Sequence, residues 1–193
     1  MKNNFNSIYN PDYHNFAKLL FHIGTTLNGR KDRFDKADLI EQAFCQSCRG
    51  DKLEWRDDLG FDLIDPQRHI KFEVKSQTHC LFTPKRGNAK AKTSKIKLTN
   101  TLQQGEKKAL NVTADWLIII DSFNGAVGIV EYEQVVRDFS YEMTDGFGCQ
   151  IPMDKVHILS RPKTVLAENV VSYKEQKKLM QESYVRRFFS NEN

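Results

Sequence analysis

The run Gly60-Phe61-Asp62-Leu63-Ile64-Asp65, followed after Pro66-Gln67-Arg68 by His69-Ile70-Lys71-Phe72-Glu73-Val74-Lys75-Ser76-Gln77, decides the fold. Residues 69–77 alternate as a half-buried strand requires, with Ile70, Phe72 and Val74 on one face and Lys71, Glu73, Lys75 and Gln77 on the other. Residues 60–65 read as the preceding strand. Pro66 cannot donate to a ladder, so it belongs to the turn between them. Asp65, just before it, reads as a turn former. Because strand side chains repeat every two residues, Glu73 and Lys75 point the same way.

Those residue types suit one chemistry. Two carboxylates hold a hard divalent cation, most often Mg²⁺, through oxygen. Such an ion binds a phosphate oxygen, acidifies a coordinated water and offsets developing charge. A neighbouring ammonium orients the water or stabilises the charged transition state. The expected metal set is Asp62, Glu73 and the Val74 carbonyl, and the expected catalytic set is Asp62, Glu73 and Lys75.

Asp62 followed by Glu73-Val74-Lys75 resembles the D…(D/E)xK pattern of the PD-(D/E)XK nuclease superfamily. The wording Phe61-Asp62-Leu63-Ile64-Asp65 resembles type II restriction endonucleases, with Phe61 where the pattern usually has Pro. The likeness spans roughly residues 36–132. It implies an α/β fold with a restriction-endonuclease-like core, a central mixed sheet flanked by helices. It also implies Mg²⁺-dependent, sequence-specific hydrolysis of double-stranded DNA by a homodimer. A structure-specific or repair nuclease, or a non-catalytic DNA-binding protein on the same fold, are the alternatives. The sequence holds three E-x-K triplets, at Glu73, Glu106 and Glu175. Only the first lies on an alternating apolar strand preceded by an Asp on another.

Upstream, residues 1–10 are polar and read as irregular. Phe16, Leu19, Leu20, Ile23 and Leu27 mark an amphipathic helix from Tyr13, ended by Asn28-Gly29. A second helix is expected from an Asp35 N-cap to Gly50, with Leu39, Ile40, Ala43 and Phe44 inward. Glu41 on that helix is an accessory acidic candidate. Residues 52–56 read as a short strand.

Downstream, Pro84 to Asn100 carries Lys85, Arg86, Lys90, Lys92, Lys95 and Lys97 without an acidic residue. Such a run suits phosphate contacts. Arg86 and Asn88 have the donors that read base edges, and Gln77 and His79 follow the strand toward the same groove. Thr101 to Asn111 reads as a helix. Trp116 to Asp121 is the most apolar run and reads as a buried central strand. Asn124-Gly125 then turns the chain, and Ala126 to Tyr132 returns as its hairpin partner. Glu133 to Arg137 reads as a short helix, the stretch around Asp145-Gly146-Phe147-Gly148 as a flexible loop, and Val171 to Phe189 as a terminal helix.

The 193 residues fit one domain, with a helical extension at 1–34, a catalytic core at 35–132 and a C-terminal recognition and helical part at 133–193. Lys and Arg number 29 against 25 Asp and Glu, a net charge of +4, too mild to identify a partner by itself. No apolar run is long enough for a membrane span, and no secretory h-region follows Met1, so a cytoplasmic location is expected. Cys45 and Cys48 form a C-x-x-C on a predicted helix, but His79-Cys80 lacks the spacing of a second zinc pair. The four thiols are read as reduced and buried. No phosphate-binding G-x-x-x-x-G-K-[ST] occurs, so no role for ATP is expected.

Overall fold

The computed structural model describes residues 4–26, 33–49, 52–58, 60–77, 80–82, 95–98, 112–143 and 146–162. Alternation and β-branching produce the expected strands. β1 (Glu54–Asp58), β2 (Phe61–Asp65) and β3 (Ile70–Gln77) form an antiparallel meander, and β5 (Trp116–Asp121) lies parallel to β3. β4 (Lys95–Leu98) precedes β5 in the chain but belongs to another sheet. β6 (Val127–Glu131) returns antiparallel to β5, and β9 (His157–Ser160) closes the row. The mixed sheet therefore runs β1-β2-β3-β5-β6-β9. The parallel β3–β5 pair sits in the middle, and β5 is almost wholly buried, as its continuous apolar run requires.

Helices cover one face of this sheet. They are α1 (Phe5–Tyr9), α2 (Tyr13–Thr26) and α3 (Arg33–Ser47). Phe5, Tyr9, Phe16, Ile40 and Phe44 pack with Leu63, Phe72, Val74, Ile118 and Ile120. The opposite face is covered by a smaller sheet of β4, β8 (Gly146–Pro152) and β7 (Ser140–Met143), together with a helical turn, α4 (Tyr132–Gln134). Here Leu117, Ile119 and Val130 meet Ile96, Cys149 and Ile151.

Several expectations change. Residues 5–9 are helical, not irregular, because Phe5 and Tyr9 supply a fully buried aromatic pair one helical turn apart. The Tyr9 hydroxyl donates to Asp65 Oδ2 at 2.8 Å. Asp65 also accepts the N–H groups of Gln67 and Arg68 and the Arg68 guanidinium, so the expected turn former is also a buried anchor for α1. α3 starts at Arg33, which places Asp35 inside the first turn and not at the cap, and Leu39 is exposed. The first strand is shifted to Glu54–Asp58. In the Asn124-Gly125 turn only Gly125 takes a positive φ, 71°.

The residues around 146–148 form a strand, not a loop: Phe147 and Gly148 pair with Glu142 and Tyr141. Likewise Lys95 to Leu98, read as part of a charged loop, pair with Cys149 to Pro152. Alternation explains both: Ile96 and Ile151 turn inward while Lys97 and Gln150 face out. The helix read at Glu133 to Arg137 is present, with α4 passing into a wider π-type turn at Val135–Phe139. Cys48, Cys80 and Cys149 are buried thiols outside any disulfide, and Cys45 is partly exposed. Burial pushes the Cys48 thiol up to about 12. The helices read at 101–111 and 171–189 lie outside the described residues.

Because Phe5 is buried against Phe44 and Phe72, Phe5→Ala is expected to lower the unfolding free energy in urea by about 3–5 kcal/mol. A loss below about 1 kcal/mol would show that α1 is not part of the core.

Candidate active site

Strand register determines which side chains meet. Leu63 faces Phe72 across β2 and β3, and both enter the helix-side core. Asp62, one residue earlier, therefore points to the opposite face. On β3, Glu73 is level with Leu117 and Lys75 with Ile119, and those two residues belong to the other core. Asp62, Glu73 and Lys75 thus share the face that carries the small sheet. The exposed polar face expected for β3 is instead half covered: Glu73 is only 6% exposed.

Within this face the Lys75 ammonium forms an ion pair with Glu73 Oε1. The Lys75 side chain keeps 32% of its surface open and Glu73 keeps 8%, so solvent reaches the pair from the lysine side. Asp62 Oδ2 accepts the Val74 N–H at 2.6 Å. The Asp62 carboxylate thereby takes up a backbone donor of β3 next to Glu73. The Val74 side chain is buried in the helix-side core.

Charge reinforces the geometry. Burial pushes the Asp62 carboxyl up to about 7, helped by Glu73 and Glu41 and opposed by Lys75 and the Val74 N–H. Burial works against the Lys75 ammonium, yet Glu73 and Asp62, with Glu41 behind them, outweigh it and hold its pKa above the ordinary lysine value. Glu41 itself accepts the Trp55 indole N–H at 3.3 Å and is raised by burial. It acts on Asp62 and Lys75 through its charge.

The other sequence candidates are more dispersed. Gln77 is exposed at the end of β3, and its carbonyl accepts the Ser122 N–H. Lys97 is exposed on β4, with Nζ 5.8 Å from the centre of the Tyr141 ring. Lys95 lies on β4, and nothing further is described for its side chain. His79, Lys85, Arg86, Asn88, Lys90 and Lys92 lie outside the described residues.

No motif or periodicity singles out Thr113, Tyr132 or Trp55. Tyr132 is buried, its phenol hydrogen-bonds the Thr113 side chain, and it feels the charges of Glu73 and Asp62. Burial raises its phenol above the usual tyrosine value. Only its place at the end of an apolar hairpin strand was visible beforehand, and that suggests core.

No protein-family model matches this chain, and no curated protein matches it.

The donor set can be tested against a divalent ion. Among the described residues no three His, Cys, Asp or Glu side chains gather at metal-holding range, so the set rests on two carboxylates and a backbone carbonyl. In its favour, burial raises Asp62, and repulsion from the charge of Glu73 adds to this by more than the Lys75 ammonium offsets. A divalent ion between oxygen donors relieves that repulsion. The residues fit Mg²⁺.

The raised Asp62 has a consequence for stability. The folded chain holds this proton more tightly than the unfolded chain does, so Asp62 costs stability as pH rises from about 4 through 7. Asp62→Asn, which keeps an acceptor for Val74, is expected to stabilise the metal-free protein at pH 8 by roughly 4 kcal/mol and to give no gain at pH 4. Urea unfolding at the two pH values checks this, and equal effects at both would exclude the shift.

Proposed function

We propose that the chain is a Mg²⁺-dependent, sequence-specific DNA endonuclease of the type II restriction kind. The observation that carries this is the Glu73–Lys75 ion pair lying beside Asp62 on one half-covered face of adjacent strands. A surface salt bridge contributes little and needs no second, half-buried carboxylate beside it. The order helix, antiparallel meander, then a strand parallel to β3 also agrees with the mixed α/β arrangement that the resemblance implies.

In this reading Asp62, Glu73 and the Val74 carbonyl hold the ion. When bound, Mg²⁺ supplies Lewis acidity toward a phosphate oxygen and an acidified water. Lys75, the most open of the paired groups, orients the attacking water and stabilises charge on the phosphoryl oxygens. Its contact with Glu73 fixes the ammonium in place and keeps it protonated. Glu41 adds negative charge, which favours a cation in the pocket. Trp55 anchors Glu41 from β1.

Exposed Lys97 on the small sheet and Gln77 at the end of β3 are the described residues that fit contacts to a nucleic acid, Lys97 to phosphate. Lys85, Arg86, Asn88, Lys90, Lys92 and Lys95 extend that set in sequence. Cutting both strands requires two copies of the site, which a homodimer on a palindromic sequence supplies.

Plasmid DNA incubated with purified protein and Mg²⁺ is expected to give discrete fragments, and EDTA to abolish them. Lys75→Ala should slow cleavage by on the order of 10²–10³-fold while changing duplex affinity less than about threefold. Cleavage of branched substrates alone would favour a structure-specific nuclease. Normal cutting by Lys75→Ala would remove Lys75 from the mechanism.

A further inference from the structure

The stretch 112–115 leads into β5 and makes unusual cross-connections. Thr113 Oγ1 donates to the Gly60 carbonyl at 2.7 Å. Gly60 precedes β2, whereas Thr113 precedes β5, and β3 lies between those strands in the sheet. The bond therefore spans β3. It does so over the Glu73 face, because Tyr132, which bonds Thr113, belongs to the core on that side.

The bridge is tied down at both ends. At the near end the Thr113 hydroxyl, which donates to Gly60, is also hydrogen-bonded to the Tyr132 phenol. The Tyr132 N–H is held by the Asp115 carbonyl at 3.1 Å. Asp115 in turn exchanges two bonds with Lys71 of β3: its N–H goes to the Lys71 carbonyl at 2.9 Å, and its Oδ2 accepts the Lys71 N–H at 2.8 Å. At the far end Gly60 has a φ of 101°, a conformation that a side chain would strain. Asp62 follows two residues later. The bridge thus connects the backbone that aims one carboxylate to the strand that carries the other.

Resting on the nuclease reading above, we infer that Thr113 and Tyr132 are positioning residues: their bridge across β3 to Gly60 sets the spacing of the Asp62 and Glu73 carboxylates and so the affinity for the divalent ion. Neither residue touches the substrate. Their effect is on how two repelling carboxylates are held at the distance an ion needs.

Mn²⁺ binding to the full chain, followed by calorimetry without DNA, tests this. Thr113→Val removes the proton donor at constant volume, and Tyr132→Phe removes the phenol hydroxyl. Each is expected to weaken Mn²⁺ binding about tenfold, while Thr113→Ser, which keeps the hydroxyl, stays within about twofold of the unaltered chain. Circular dichroism identifies any variant that fails to fold, in which case the other decides. Folded Thr113→Val or Tyr132→Phe with undiminished Mn²⁺ affinity overturns the inference and leaves the metal site standing. No Mn²⁺ binding by the unaltered chain overturns the metal reading and this inference with it.

Discussion

Two carboxylates are held side by side on a half-covered sheet face with one ammonium between them and water. Coulomb repulsion in such surroundings is several-fold stronger than in bulk solvent. The fold sustains it because neither acid can leave. Asp62 is fastened to the Val74 N–H, and Glu73 lies in the central parallel pair of the sheet. The remaining architecture follows from the need to keep those strands rigid: a helical layer behind β2 and β3, a small sheet in front of β5 and β6, and a bridge across β3.

The two layers divide the labour. Aromatic packing of Phe5, Tyr9, Phe16 and Phe44 behind the sheet stiffens β3 from the side opposite Glu73 and Lys75. In front, the small sheet and Tyr132 exclude water from Glu73 but leave Lys75 partly open.

Much of this was legible in the residues. The strict alternation from Ile70 to Gln77 located β3, and the run from Trp116 to Asp121 located its buried partner. Glu73 and Lys75 were known to share a face because strand geometry permits nothing else. Other features depend on contacts distant in sequence, which local pattern does not encode. Phe5 and Tyr9 look like isolated aromatics in a polar segment until Asp65 and Phe72 are placed beside them. The strand at 146–152 is rich in glycine and reads as a loop, because its pairing with Lys95 to Leu98 supplies the order that composition withholds. Thr113 gives no sign at all, since its role is defined by a carbonyl on another strand.

The anchoring of α1 bears on how the chain acquires its shape. Tyr9 waits for Asp65, and Asn6 donates its side-chain amide to the Leu159 carbonyl, 153 positions later. During synthesis α1 emerges well before β9, so it has to await that strand before its contacts are complete. Until Phe44, Asp65 and Phe72 are in place, its aromatic pair has no permanent partner and is available to chaperones or to misassembly. Closing so long a loop carries an entropic cost that is met only when the sheet already exists as a template. The segment that carries α1 is thus expected to be among the later parts to settle.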